Sequence, residues 1–409
     1  MSEWKTISLD DLISSGQIEL GRGEIISKDD IQNYPGQYPI YSSSASSEGK
    51  FGEYGKYIFD EELISWSIDG GGYFFYRPKH KFSVTNVSGY LRIKNNQQNY
   101  KFIYYSLAEQ HRYFTFDYMT KAHPSVIRKM YHIPLISEKY QNKIATILST
   151  IDETILHTEA LIEKYQQIKA GMMNDLFTRG VLPDGTLRPT RDEAPELYHE
   201  TPIGWIPKEW EISPLSSLCH KITDGSHQAV ITSLNGDIPF LFVSCIRDDK
   251  VIWEQAARVD NKTYKDISKG REPKEGVILY AAVGSYGFAA RLTNSDPLAF
   301  QRHIAYIMPD ETKVSSKYLI YWLNSIYSKR HADRVAVGNA QKTVTLTELS
   351  QFPILLPPEH EQSTIHNILK ILTQKISITE IELLKLKKQK SGLMHDLLTG
   401  EVSVKTAQE

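Results

Sequence analysis

"KAGMMNDLFT" occupies residues 169–178 and "KSGLMHDLLT" occupies residues 390–399, a spacing of 221 residues. Sliding the chain by that spacing lays "QNKIATILSTIDETILHTEALIEKYQQIKAGMMNDLFT" from Gln141 over "QSTIHNILKILTQKISITEIELLKLKKQKSGLMHDLLT" from Gln362. Apolar residues of the first copy fall at Ile144, Leu148, Ile151, Ile155, Ile162, Tyr165, Met172 and Leu176. Those of the second fall at Ile365, Leu369, Leu372, Ile376, Leu383, Leu386, Leu393 and Leu397. Outside two shared interruptions the steps alternate between four and three residues, the 3.5-residue period of a coiled-coil seam. The interruptions coincide, Thr158 opposite Thr379 and Lys169 opposite Lys390. Neither copy contains proline, so each predicts an unbroken helix of about 40 residues, on the order of 60 Å long. A stripe that long must bury itself, and the other copy is the nearest partner. Gly171 and Gly392 share one position, where a glycine costs about 1 kcal/mol in a helix interior. That coincidence predicts close packing there.

The repeat extends beyond the helices. "EWKTISLDDLI" from Glu3 resembles "EWEISPLSSLC" from Glu209, keeping Trp4 with Trp210, Leu9 with Leu215 and Leu12 with Leu218. "YPIY" at 38–41 answers "IPFL" at 238–241, "ELISWSIDGGGY" from Glu62 answers "GVILYAAVGSYG" from Gly276, and "KFIYYSL" at 101–107 answers "KYLIYWL" at 317–323. Between the copies, prolines 183, 189, 195, 202 and 207 stand among charges and glycine, the composition of a linker. Short apolar and β-branched runs bounded by Gly, Pro and Asp read as strands. The expected fold is α+β: two mixed globules and two long helices arranged as a pseudo-two-fold repeat. The expected boundaries are 1–133, first globule; 134–180, first helix; 181–207, linker; 208–352, second globule; 353–402, second helix; and 403–409, tail. Periodicity alone does not choose between parallel and antiparallel pairing of the helices.

Composition narrows the function. A formal charge of −2 argues against a protein that coats nucleic acid nonspecifically, while leaving room for a local basic groove. No apolar run reaches the roughly 18 residues of a membrane span, and the opening residues lack a signal-peptide pattern. A soluble, cytoplasmic protein is expected. Cys219 and Cys245 stand far apart, so neither a disulfide framework nor a zinc cluster is predicted, and both read as small core residues. Catalytic signatures fail on spacing. In "HEQSTIH" the histidines, His360 and His366, stand six residues apart rather than four and fall on different helix faces. Tyr57 follows Gly55 and Lys56 where a phosphate loop needs Ser or Thr. "PDETK" at 309–313 runs together the fragments of a nuclease carboxylate motif, and no adenine-methyltransferase "NPPY" or "DPPF" occurs. No catalytic residue and no metal site is predicted.

With these phrases in this order, the chain resembles the specificity subunits of Type I restriction and modification enzymes. The telling elements are "IGWIPKEWEISPLSSL" from Ile203, "ITDGSH" from Ile222, "EGVILYAAVGSYGFAA" from Glu275, "AFQRHIAYI" from Ala299, "FPILLPPEHEQSTI" from Phe352 and the doubled helix ending. The resemblance covers the chain to Val402. It implies two target recognition domains, each reading half of a split DNA site, and an antiparallel pair of helices serving as a spacer. It further implies two modification subunits per chain that methylate adenine N6 with S-adenosylmethionine, restriction subunits using ATP with magnesium, and no cofactor in this chain. The family's "PPxxEQ" signature is intact at Pro357, Pro358, Glu361 and Gln362 but becomes "LISEKYQ" at 135–141, so an altered start of the first helix is expected. Unlike halves imply an asymmetric target.

DNA contacts require Lys and Arg for phosphates and Arg, Gln, Asn, Ser, Thr or His for base edges. In the first globule the candidates are Tyr76, Arg77, Lys79, His80 and Lys81, with Lys121 and His123. In the second they are Lys269, Arg271 and Lys274; Ser285 within "GSYG"; Gln301, Arg302 and His303; and Asn339, Gln341 and Lys342. "SKRHADR" adds Lys329, Arg330 and Arg334, which equally read as a solvated helix face. Two rival classes are a single-chain DNA-modifying enzyme and a coiled-coil interaction protein without DNA readout.

Overall fold

The structure is a computed structural model that describes residues 4–44, 47–95, 98–116, 121–233, 235–339 and 341–404; the last five residues of the expected tail lie outside them. The chain divides into two compact units, residues 1–161 with 379–409, and residues 162–378. Both long helices form, as Glu138–Thr178 and Glu359–Thr399. Each unit contains one half of each helix.

The first unit is built on a six-stranded sheet in the order Ile18–Arg22, Ser88–Ile93, Phe59–Ser67, Phe74–Val84, Tyr38–Tyr41, Lys50–Tyr54. All neighbours pair antiparallel except Tyr38–Tyr41, which runs parallel to Phe74–Val84. Pro78, which has no N–H to give a ladder, sits where the register slips between Glu61 and Leu63, the tolerated place for proline in a strand. The second unit repeats this order in two pieces. One is Cys219–Asp224, Ile304–Pro309, Ile278–Ala281, Ala289–Arg291; the other is Ala299–Phe300, Ile238–Leu241, Ala257–Val259. The single strand Phe74–Val84 thus corresponds to Ala289–Arg291 plus Ala299–Phe300, separated by "LTNSDPL", whose turn-forming residues interrupt the ladder. The parallel pairing recurs, Ile40 opposite Ser83 and Phe240 opposite Ala299.

Each unit is tied to its long helix in the same way. A short early strand pairs with the strand that precedes the helix, Thr6–Ser8 with His132–Pro134 and Glu211–Pro214 with Pro353–Leu356. Gln141 then accepts a hydrogen bond from Asn99 N (2.9 Å) and donates to Ile136 O (3.1 Å). Gln362 does likewise with Ser315 N (3.0 Å) and Pro357 O (2.9 Å). The first helix therefore starts at the position equivalent to the second despite the missing prolines. The departure is felt elsewhere. Glu361, fully buried, pairs with Arg188 (Nη2 to Oε2, 2.9 Å) and accepts from Trp210 Nε1 (3.0 Å) and Val181 N (2.7 Å). Tyr140 replaces it in the first unit and meets Trp4 ring to ring at 6.3 Å. The proline-rich segment is consequently no slack tether: Val181 and Ile206 enter the second unit's core, Arg188 is buried, and Tyr198–Thr201 and Gly204–Pro207 form a hairpin.

The helix halves pair antiparallel within each unit. In the first, Lys390 bonds Asp152 at 2.5 Å and Lys387 bonds Glu159 at 2.7 Å; in the second, Lys375 lies 4.8 Å from the Tyr165 ring centroid. No seam residue is exposed, although Ile151, Ile162, Tyr165, Met172, Leu372, Leu383, Leu386 and Leu393 are only partly covered. Thr158 and Thr379 are buried in the seam. Lys169 and Lys390 leave it for tyrosines at equivalent places, Lys169 5.8 Å from the Tyr321 ring and Lys390 5.9 Å from that of Tyr105, which accounts physically for the shared interruption. The expectation for Gly171 and Gly392 fails. Both are exposed, and a Cβ built on either meets nothing within 4 Å. Cys245 is buried and Cys219 half-buried, both free.

Ile144 and Leu148 pack with Met394, Leu397 and Leu398 in the first unit's core, while Leu176 and Phe177 pack with Ile365 and Leu369 in the second. Leu397→Ala should therefore cost roughly 2–5 kcal/mol in the first unit's unfolding. Urea melts followed by hydrogen exchange should show early opening of residues 4–14 and 138–155, with residues 210–222 keeping their protection.

Candidate nucleic-acid interface

At one end of each sheet the backbone draws four loops together with matching hydrogen bonds. In the first unit Gly23 N donates to Ser88 O (3.0 Å), Glu24 N to Val84 O (3.0 Å), Ile68 N to Val87 O (2.9 Å) and Ala122 N to Ile68 O (3.1 Å). In the second, Gly225 N donates to Ile304 O (3.2 Å), Ser226 N to Phe300 O (3.0 Å), Ala282 N to His303 O (2.9 Å) and Val344 N to Ala282 O (2.8 Å). Both glycines are required by close approach. A Cβ on Gly23 would stand 2.2 Å from Val84 O, and one on Gly225 would stand 2.3 Å from Phe300 O. The two rims share a framework and differ in side chains: Glu24, Thr85 and Asn86 in one stand where Ser226, Gln301 and Arg302 stand in the other.

The second rim gathers several of the residues singled out by sequence. Gln301, Arg302 and His303 form the turn hydrogen-bonded to Ser226 and Ala282; Gly284 N donates to Lys342 O (2.9 Å), bringing Ser285 beside Gln341 and Lys342, with Asn339 on the same loop. Arg302, Ser285, Asn339, Gln341 and Lys342 are exposed. Burial, with the Arg302 charge adding to it, holds the His303 imidazole below its usual range, so at neutral pH the ring offers one donor and one acceptor. Arg271 does not reach outward. Its guanidinium donates to the carbonyls of Asp224 (3.1 Å), Gly225 (3.0 Å) and Ile267 (2.8 Å), which props the "ITDGSH" loop from behind. Lys269 and Lys274 are exposed nearby in sequence, outside the hydrogen-bonded rim. His227, exposed and held by Asp224 Oδ2 at 2.7 Å, is a rim residue that sequence reasoning passed over.

In the first unit the candidates divide differently. Lys121 lies on the rim and pairs with Asp69 at 2.9 Å, and His123 caps the helix Pro124–Met130. The run from Tyr76 to Lys81 belongs to the strand Phe74–Val84 rather than to the rim. Arg77 is only 2% exposed. It donates to Ser65 Oγ (2.9 Å) and Glu48 O (2.6 Å), lies over the Tyr41 ring at 3.6 Å, and is held down to about 10 by burial. It is a core residue, unable to reach DNA. Tyr76 donates to Glu62 at 2.6 Å, His80 stacks on Phe82, and Lys81 lies 4.8 Å from the Tyr57 ring centroid; Lys79 alone of the run is exposed without a partner among the described residues. The accessible rim positions that sequence missed here are Glu24 and Asn86, with Thr85 buried between the loops. The spacing that lays 101–107 over 317–323 also lays Thr85 and Asn86 over Gln301 and Arg302 and would have found that pair.

The family model for the Type I restriction modification DNA specificity domain matches residues 1–168 and again 207–388. The chain belongs to that family. It is a specificity subunit of a Type I restriction-modification system. Its sequence is similar to the Type I restriction enzyme MjaVIII specificity subunit of Methanocaldococcus jannaschii, 25% identical over 98% of this chain and 94% of the relative. A putative type I specificity subunit N-terminus from Mycoplasma pneumoniae is 35% identical over 32% of this chain and 72% of its own length. Among solved structures, the S subunit of a Type I system from M. genitalium superposes with a TM-score of 0.61 at 16% identity, covering 97% of this chain and 96% of that one. A chain from a structural study of Type I complex assembly and conformational transition superposes at 0.52 with 14% identity, covering 98% and 99%. These two likenesses carry the fold, an α+β repeat with paired long helices. No helix among the described residues is long and apolar enough to cross a membrane.

The burial of Arg77 separates stability from recognition. Arg77→Ala should lower the urea stability of the first unit by about 1–3 kcal/mol, the cost of stripping buried groups of their partners. Lys79→Ala should leave stability within about 0.5 kcal/mol, as for other surface changes.

Proposed function

We propose that this specificity subunit is the noncatalytic reading chain of its complex, each unit reading one half of a split, asymmetric DNA site through its four-loop rim. The observation that carries the reading is the repeated rim itself: one framework presenting Glu24 and Asn86 in one unit and Gln301 and Arg302 in the other, with Thr85 and Ser226 buried in that framework. Base edges are distinguished by such donors and acceptors, and different sets select different bases. The long helices run unbroken from residues of one unit into residues of the other, and in this reading their length sets the gap between half-sites.

The chemistry would be supplied by partners. Two modification subunits would carry S-adenosylmethionine and methylate adenine N6, and restriction subunits would carry ATP with magnesium. This chain's residues would bind, orient and space the DNA.

Arg302→Ala in the reconstituted complex tests the reading. Methylation mapping should show one position of one half-site relaxed, a loss of roughly 1–3 kcal/mol in discrimination, while the other half-site and the gap stay unchanged. A contiguous methylated motif, or equal relaxation of both halves, would contradict it.

A further inference from the structure

The second unit holds a cleft of about 410 Å³ between the end of the first long helix, the proline-segment hairpin and the helix Ile326–Val335. Its walls include Phe177, Trp205, Trp322 and Phe352, and Arg330 and Arg334 stand four residues apart on one helix face beside it. Residues so spaced are neighbours on a helix surface. Both arginines are exposed, and neither pairs with a carboxylate among the described residues. The Ser328 hydroxyl, on the same helix and also lining the cleft, is buried with no hydrogen-bond partner, a state that costs free energy unless something completes it. The apolar lining reaches the surface at Ile203 and Trp205 and continues past the cleft to Ile326, the three being 45%, 42% and 49% exposed. An apolar surface extending past a cleft marks a macromolecular partner more than a small ligand. Two guanidiniums without a carboxylate partner bind either a carboxylate or a phosphate, and the aromatic walls beside them, which a DNA backbone would leave uncovered, favour an acidic polypeptide segment.

The repeat supplies a comparison. In the first unit the equivalent place lies beside Leu398, Thr399 and Ser106, which answer Phe177, Thr178 and Trp322. It forms a smaller cleft of about 290 Å³. Its charged group is already matched: Glu109 lines it, paired with Arg112 at 2.9 Å, and His395 stands 3.6 Å away. Among the described residues no arginine pair and no hairpin complete it. A partner present in two copies would therefore meet two unlike clefts.

We propose that the cleft of residues 162–378 takes an acidic, apolar-anchored segment of the modification subunit, and that it does so once per chain, so that two otherwise equal copies dock with unequal affinity. The inference rests on the proposed reading that two modification subunits bind this chain. Carboxylates of the segment would meet Arg330 and Arg334, and its apolar side chain would enter between Trp205 and Trp322.

The test is a titration of the full-length chain with the host's modification subunit, followed by calorimetry and mass photometry. The wild type should bind in two steps. Arg330→Glu with Arg334→Glu should weaken the tighter step by roughly tenfold or more, as loss of an interface anchor does, and leave the weaker step unchanged. Arg330→Lys with Arg334→Lys should retain most of the difference because the charge remains. A photo-crosslinker at position 203 should join an acidic stretch of the modification subunit. Two equal steps in the wild type, insensitivity of both steps to the double reversal, or crosslinking to DNA instead would overturn the inference while leaving the partner reading intact. No binding of the modification subunit to the wild type would overturn the partner reading and this inference with it.

Discussion

Neither globular unit is complete without residues distant in sequence, and the antiparallel pairing of the two long helices supplies them. In the first unit Met394, Leu397 and Leu398 close a core begun by Leu9 and Leu12, and Trp4 is held by Thr399 O at 3.1 Å and by Leu397 O at 3.0 Å. In the second, Ile365 and Leu369 close a core shared with Leu176 and Phe177. Burial of these side chains is non-directional, so it would tolerate slippage of one helix along the other. The register is fixed by polar groups: Thr158 and Thr379 inside the seam, the ion pairs of Asp152 and Glu159, and two lysines diverted onto Tyr105 and Tyr321. Buried polar groups commonly serve this purpose in helical seams.

Much of this was legible beforehand because helix periodicity is local. The repeat aligned from Gln141 and Gln362 begins three residues inside the helices, while the expected boundaries at 134 and 353 lie four and six residues ahead of their starts at Glu138 and Glu359; the seam residues could be named individually. Strands such as Phe59–Ser67 and Ile278–Ala281 were visible as β-branched and aromatic runs between turn residues. Other features were not readable, since they depend on contacts between distant residues. Nothing in "YFFYRPKHK" distinguishes Lys79, which faces solvent, from Arg77, which faces the core. Their difference is set by the bulge opposite Glu61 and Leu63 and by Tyr41 and Glu48 closing over the guanidinium. Arg271 looked like a phosphate contact and proves to be a brace, because three backbone carbonyls converge on it only after folding. Glycine at 171 and 392 was misread for the opposite reason: a shared position in a repeat does not specify whether the small residue faces the partner helix or solvent.

The division of labour follows from these constraints. Loops positioned by a rigid scaffold can vary in side chains without disturbing the core, and the two rims do so while keeping the same backbone hydrogen bonds and the same cramped glycines. Recognition can thus diverge between the halves while the repeated framework stays fixed. Glu361 belongs to the framework. Removing it would leave the buried Arg188 with Glu209, at 3.1 Å, as its remaining carboxylate and would cost Val181 N and Trp210 Nε1 their acceptor, loosening the hold of the second unit on the proline-rich segment.

Zero-length carbodiimide crosslinking, read by peptide mass spectrometry, tests the antiparallel pairing most directly, since it joins only amines and carboxylates already in contact. The account predicts amide links from Lys390 to Asp152 and from Lys387 to Glu159 within a single chain. Links from Asp152 to Lys370 or Lys375, the lysines flanking its partner in a parallel alignment of the repeats, would contradict it.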